Sequence, residues 1–338
     1  MTKPRQEPVR RILSIDGGGI VGTFPAAFLA ALEKNLGGEP IGRYFDLIVG
    51  TSTGGIIAIG LALDMTAASL LSLYEKEGPT IFGQDRHPVL NRARRIWRNA
   101  KRLVTAKHPA EPLKEVLEAT LGDRRIGEAK TRLAVPAWNP SLQKVYVYKT
   151  AHHPRFETDY KSRAVDAAMA TAAAPTFFPR HVTRDEVGLI DGGVWANNPV
   201  GLAVVEAIGV LGWSRESLRV LSIGCLDQAY RIGDAPGITS LGSKAIKLFM
   251  DGQSHASLGT AFLLTGHEHE AERVFRVTHT VPYKSFAMDD TTKIGELKGM
   301  GFAMARDRIP TLRKHFFGGP AEPFEPYHRL KTEMEIAK

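Results

Sequence analysis

The chain has 338 residues, 43% of them apolar, 24% charged and 8% aromatic. That much apolar surface can offset the entropy of ordering a chain, which excludes an unstructured or low-complexity protein. One cysteine, Cys225, excludes an intrachain disulfide framework and a multi-cysteine zinc site, and fits a reducing, cytoplasmic compartment. Met1 to Arg11 is charged with no apolar run behind it, so no secretory signal is expected. No apolar run approaches the roughly 20 residues that span a bilayer. A soluble protein is expected, able to visit a membrane surface.

The net charge is +8, and between Arg86 and Lys107 stand eight Lys or Arg residues with no Asp or Glu. The rest of the chain is therefore near neutral. One strongly basic segment implies an anionic partner met at one place.

The first half alternates short apolar runs with helix-like stretches, the pattern of an α/β fold with a mainly parallel sheet. A first strand is expected over Arg11–Ile15. It runs through Asp16-Gly17-Gly18-Gly19 into a helix from about Val21 to Asn35, closed by Gly37-Gly38. A second buried strand, Asp46–Val49, ends at Gly50 and leads to a small apolar helix from Thr53 to about Leu63. Another helix is expected over Ala67–Lys76, then strands at Leu133–Trp138 and Lys144–Tyr148 around a Pro140-Ser141 turn. An alanine-rich helix over Ala164–Ala174 is stopped by Pro175, and a strand over Val187–Ile190 leads to Asp191-Gly192-Gly193. Asn198 as cap with Pro199 in the first turn starts a helix. Arg219–Gly224 reads as another buried strand. Beyond residue 226 the pattern is mostly helical, with one strand near Val274–Thr278. No repeat or low-complexity linker is visible. A core over residues 8–225 and an extension over 226–338 are expected to pack as one unit.

Gly50-Thr51-Ser52-Thr53-Gly54 sits between a buried strand and a helix, the context that a G-x-S-x-G nucleophile elbow requires. A sharp turn there pushes the serine hydroxyl out at the sheet edge, and the flanking glycines leave room for the strained backbone. The positive end of the following helix favours negative charge at the serine. Asp191 ends a strand before two glycines, which would put its carboxylate at a strand's C-terminal edge, where sites form in open parallel sheets. Partial burial would raise its pKa toward values useful to a base. Asp16-Gly17-Gly18-Gly19-Ile20-Val21-Gly22 presents backbone N–H groups at a helix start, suited to a phosphate or an oxyanion. Gly17, Gly19 and Gly22 also satisfy the dinucleotide fingerprint. Asp16 beside a pyrophosphate, and no acidic residue ending the second strand, argue against that reading.

Together these segments, with Asn197-Asn198-Pro199 and the small-residue block Ala170-Thr171-Ala172-Ala173-Ala174-Pro175-Thr176-Phe177-Phe178, strongly resemble the patatin-like phospholipase family. The resemblance covers about residues 8 to 225, in the right order. It implies an open, mainly parallel sheet between helices, here with a mostly helical C-terminal extension. By position it implies a Ser–Asp dyad of Ser52 and Asp191 and an oxyanion hole around Gly17, Gly18 and Gly19. It further implies phospholipase A-type hydrolysis of fatty-acyl esters of membrane lipids, with no metal and no cofactor. Two other readings use the same residues. One is an α/β-hydrolase triad in which Asp191 orients a later histidine such as His255 or His279. The other is a non-enzymatic nucleotide-binding module.

In the basic segment, Val89, Ala93, Ile96, Trp97, Ala100, Leu103 and Val104 recur at helical spacing. Arg92, Arg94, Arg95, Arg98, Lys101 and Arg102 fall mostly on other faces. Such a helix suits an anionic membrane, here the inner face of the cell membrane, or a phosphorylated ligand; it also suits a solvated face. Nucleic acid is not expected, because no base-reading module accompanies the charge. His152-His153 and His267-Glu268-His269 read as solvated surface, and Cys225 as an inert core thiol. Phe177-Phe178 reads as core or acyl-pocket lining, and Asn197 as a turn residue or a brace for the aspartate's loop. A lipase able to attack its host's membrane needs restraint. The chain resembles bacterial patatin-like effectors of anti-phage signalling that a cyclic dinucleotide switches on. A doubly anionic ligand would suit the basic segment, joined by Arg273 or Arg276.

Overall fold

Side chains along the first strand, β1 (Arg10–Ile15), alternate between two layers. Leu13 and Ile15 join one apolar core, and Ile12 faces a second, so the strand is covered on both faces. The computed structural model describes residues 7–83, 106–229, 238–267, 272–282 and 284–331. β1 lies inside an eight-stranded sheet in the order β5-β6-β3-β2-β1-β7-β9, with β4 also on β3. The strands are β2 (Leu47–Gly50), β3 (Arg132–Asn139), β4 (Lys144–Lys149), β5 (His181–Val182), β6 (Gly188–Asp191), β7 (Leu218–Ile223) and β9 (Val274–Val277). From β3 through β2, β1 and β7 to β9 every pairing is parallel, whereas β4, β5 and β6 pair antiparallel.

The larger core lies under α1 (Thr23–Asn35), α2 (Thr53–Ala62), α3 (Ala67–Ile81), α4 (Glu111–Leu121) and α5 (Ala164–Ala172). Behind the short α6 (Gly193–Ala196), α7 (Val200–Val205) and α8 (Ile238–Thr265) cover the other face of the sheet. The last helix, α9 (Ile294–Phe316), packs on α1. That approach is close enough to need Gly301, where a Cβ would come within 2.6 Å of the Phe24 carbonyl oxygen. Phe316 is fully buried and packs its ring against Phe45 and Phe275. Leu297, Ala305, Leu312 and Phe316 of α9 belong to the larger apolar core.

The structure carries the expected α/β class and element order. Gly19–Gly22 form a 3₁₀ turn, so α1 starts at Thr23. Helix α3, expected over Ala67–Lys76, continues through Gly78 and Pro79 to Ile81, with Leu70, Tyr74 and Ile81 buried along one stripe. Two three-residue strands, β8 (Asp227–Ala229) and β10 (Thr280–Pro282), pair with each other and are too short to carry a periodic signal.

Candidate active site

Between β2 and α2 the chain turns through Ser52 at φ 55° and ψ −127°, a region that strains any side-chain-bearing residue. The turn is tight enough that a Cβ on Gly50 would stand 2.2 Å from the Gly54 carbonyl oxygen. On Gly54 a Cβ would meet the Ile15 carbonyl oxygen at 2.4 Å. Ser52 occupies the N-cap of α2 yet makes no side-chain cap bond, so its hydroxyl is left for another partner. Its own N–H donates to Thr171 Oγ1 at 3.0 Å, and that hydroxyl donates to the Pro136 carbonyl at 2.7 Å. The small-residue block thus clamps the elbow through the Thr171 hydroxyl.

Asp191 reaches the same point from the opposite direction. Its strand β6 runs antiparallel to β3, with Ala137 opposite Asp191, and the Ser52 hydroxyl lies near enough to its carboxyl to favour the ionised form. The Gly193 N–H donates to Asp191 Oδ1 at 2.6 Å. Burial pushes this carboxyl up to about 7, against the lowering effect of the Ser52 hydroxyl and the Gly193 N–H. The carboxyl thus titrates near neutrality.

The glycine loop packs directly on the elbow, since a Cβ on Gly17 would lie 2.9 Å from Ser52 Cβ. Gly17 N–H donates to the Asn197 carbonyl at 3.0 Å, and Gly18 N–H to Thr53 Oγ1 at 3.2 Å. Gly19 has φ +59° and stands where a Cβ would be 2.2 Å from the Met288 carbonyl oxygen, which accepts Ile20 N–H at 2.7 Å. Asn197 therefore braces the glycine loop, with its Nδ2 also donating to the Gly17 carbonyl at 3.3 Å.

Next to Ser52 opens a narrow cavity lined by Ile20, Ile56, Leu73, Ile81, Leu113, Val116 and Leu117 among other apolar groups. Phe177 and Phe178 both line it, so they belong to the pocket wall. His108 stacks against Phe177 and packs edge-on to Phe82, while its Nε2 bonds Asp289 Oδ2 at 3.1 Å. Lys107 pairs with the same carboxylate. Met288, Tyr74 and the Asp289 cluster escaped the sequence reading because nothing local marks them; only the fold brings them to the cavity.

Other expectations divide. Cys225 is buried, and burial first of all pushes its thiol up, as an inert core thiol requires. His152 is buried, not solvated, with Thr150 Oγ1 on one ring nitrogen and Glu206 Oε1 on the other. His267 Nδ1 accepts the N–H groups of Arg273 and Val274, so it too is structural. Among the described residues no group of His, Cys, Asp and Glu could hold a metal. Among the described residues neither His255 nor His279 bonds Asp191, whose carboxyl accepts from the Gly193 N–H. Arg276 is committed to Asp16, and Arg273 is buried and donates to the Thr265 carbonyl, so neither extends a ligand surface. Arg92, Arg94, Arg95, Arg98, Lys101 and Arg102 lie outside the described residues. No described helix is long and apolar enough to cross a membrane.

Comparison with known proteins gives the chain a family. Residues 13–204 match the patatin-like phospholipase family. A cGAMP-activated phospholipase of Pseudomonas aeruginosa is 41% identical over 221 residues, which are 65% of this chain and 63% of that one. A protein of the same name from Vibrio cholerae is 31% identical over 93% of this chain and 96% of its own. Patatin-like protein 2 of Arabidopsis thaliana is 35% identical over 58% of this chain and 52% of its own. Among solved structures, VipD from Legionella pneumophila aligns with a TM-score of 0.47 at 11% identity, covering 92% of this chain and 72% of that one. With the family matched over more than half its length, this chain belongs to the patatin-like phospholipases, a family of lipid acyl hydrolases.

Proposed function

We propose that this chain hydrolyses fatty-acyl esters of membrane phospholipid, with Ser52 as nucleophile and Asp191 as general base, under the control of a cyclic dinucleotide. One observation carries the hydrolase reading. A strained serine stands beside a buried carboxyl whose pKa is pushed up to about 7, at an apolar cavity. A carboxyl with that pKa can take a proton at neutral pH and return it within one turnover.

Ser52 Oγ attacks the ester carbonyl carbon as its proton passes to Asp191. The Gly17 and Gly18 N–H groups are taken by Asn197 and Thr53, so the negative charge that forms on the carbonyl oxygen lies against the Gly19 N–H and the N-terminus of α2; one such backbone donor contributes about 3 kcal/mol. Asp191 then gives its proton to the departing alcohol oxygen, leaving an acyl-serine with its chain in the cavity. Water attacks that ester as Asp191 accepts its proton; the acyl–Oγ bond then breaks, Asp191 returns the proton to Ser52 Oγ, and the fatty acid leaves.

The test is fatty-acid release from phospholipid vesicles by the wild type, Ser52→Ala and Asp191→Asn, with a fluorophosphonate probe mapped to its peptide. Loss of release in both variants and label on Ser52 are expected. Full activity in either variant would sink the dyad.

Control by a cyclic dinucleotide is supported by the names of the Pseudomonas and Vibrio relatives and by the localised positive charge. Release should rise on addition of cGAMP or a related ligand from a panel of cyclic dinucleotides. Equal rates across the panel reject this control. Arg94→Glu and Arg95→Glu locate the site: activation that survives both reversals places it outside the basic segment. Peripheral contact with the membrane is part of the same reading, and co-sedimentation with anionic vesicles measures it.

A further inference from the structure

Asp16 heads the glycine loop, and it is only 5% exposed. A single guanidinium takes both of its carboxylate oxygens. Arg276 Nη1 donates to Oδ1 at 3.0 Å and Nη2 to Oδ2 at 2.6 Å, while Nη1 also donates to Ser222 Oγ at 2.8 Å. The row Ser14, Ser222, Arg276 runs across β1, β7 and β9, so Arg276 reaches over β7 to the end of β1. Gly224 keeps that path open: a Cβ there would lie 2.6 Å from Nη2. Arg276 stands outside residues 13–204, the part that matches the family.

We infer that Arg276 is a positioning residue for acyl transfer: by fixing Asp16 at two points it holds the glycine loop so that the N–H of Gly19, which lines the cavity with Ser52, meets the carbonyl oxygen bound there. The inference rests on the acyl-hydrolase reading above. The peptide units that follow Asp16 are those that carry the loop's donors, and Gly17 packs on Ser52. A turn of the Asp16 backbone therefore moves the Gly19 N–H relative to the nucleophile. A carboxylate gripped by a planar fork is locked in plane, whereas a lysine ammonium would hold it as a point charge and leave it free to turn. Misplacement of reacting groups by 1 Å can cost about a hundredfold in rate. The pair is buried away from the cavity, so Arg276 acts through Asp16 and never touches substrate.

The experiment uses the full chain and a short-chain nitrophenyl ester, with the cyclic dinucleotide present if the wild type responds to one. Readouts are kcat, KM, the rate of fluorophosphonate attachment to Ser52, and the thermal midpoint. Arg276→Lys should lower kcat and the attachment rate at least tenfold, with KM within twofold of wild type. Lys149→Met serves as the control, because it breaks another buried pair, Lys149 Nζ to Glu206 Oε2 at 2.6 Å. It should lower the thermal midpoint as much as Arg276→Lys and leave kcat within twofold. Ser222→Ala, which keeps the bidentate pair and removes only the third bond, should lower kcat two- to fivefold in a well-folded protein. An Arg276→Lys kcat within twofold of wild type overturns the inference. So does a kcat loss in Lys149→Met equal to that of Arg276→Lys at the same loss of midpoint. If Arg276→Lys does not fold, an unchanged kcat in Ser222→Ala overturns it. A wild type whose Ser52 takes no label fails the hydrolase reading itself, and this inference with it.

Discussion

Asp191 stands opposite Ala137, and that pairing brings its carboxyl to Ser52. Ala134 pairs with Val49 of β2 on one edge of β3 and with Lys149 of β4 on the other. Ala137 pairs with Tyr146 of β4 and with Asp191. β2 and β6 therefore share one edge of β3 and run toward each other along it. Their C-terminal ends meet, with Gly50-Thr51-Ser52 arriving from below and Asp191 from above. A slip of one residue in β6 would turn the carboxyl to the opposite face of the sheet.

The Asp191 carboxyl, pushed up to about 7 by burial, must be ionised to take the serine proton. kcat/KM is expected to rise with pH and to level off above an apparent pKa of about 7, and a pH–rate profile measures this. The stability contribution has the opposite sign. A raised acid is stabilising below its unfolded value, near 4, and that stabilisation is lost as pH rises through 7. Asp191→Asn should remove both dependences; a profile flat between pH 5 and 8 in the wild type contradicts the assignment.

Thr171→Val should weaken the elbow without touching the dyad. The valine can neither accept the Ser52 N–H nor donate to the Pro136 carbonyl, leaving a buried donor without a partner. The expected cost is about 1 to 3 kcal/mol of stability, read from denaturant unfolding. Activity should fall too, and Thr171→Ser should restore most of both.

Gly54→Ala adds a methyl that meets two backbone carbonyls, those of Ile15 and Asp16, at 2.4 and 2.5 Å. Neither is the end of a flexible side chain, so β1 or α2 must shift. Destabilisation of about 1 to 3 kcal/mol is expected, with loss of hydrolysis as the glycine loop moves off Ser52. Gly37→Ala is the contrast: no atom stands within 4 Å of a Cβ there, though φ is +95°. Its cost should come from backbone strain alone, and activity should persist.

The Asp289 carboxylate is held down to about 2 by its hydrogen bond to His108 and by Lys107. A lowered acid stabilises the fold above its unfolded pKa, near 4, and the contribution is lost as pH falls from 4 toward 2. Discounted for its partial exposure, the effect is about 1 kcal/mol. Asp289→Asn should therefore destabilise the protein at pH 7 and change little at pH 2, as thermal melts at the two pH values will show. Because Met288 lines the cavity beside Ser52, the same variant should alter KM for long-chain esters more than for short ones.

By itself the sequence determined what depends on neighbours along the chain. The elbow at Ser52 was legible because a sharp strand-to-helix turn needs Gly50 and Gly54 within two residues of the serine, a steric demand visible in five letters. The glycine loop and the strand ending at Asp191 were legible for the same local reason. Tertiary structure alone decided what those segments touch. Asn197 lies six residues after Asp191 yet braces the Gly17 loop, with its backbone carbonyl on the Gly17 N–H. His152, read as surface, is buried because Glu206 arrives from a distant helix to bond it. Arg276, read as a ligand arginine, is claimed by Asp16 across two strands. Each of these partners is set by strand register and helix packing over separations of tens to hundreds of residues. Composition and periodicity say which side chains want burial or a counter-charge, but only the folded sheet brings a given partner within hydrogen-bonding reach.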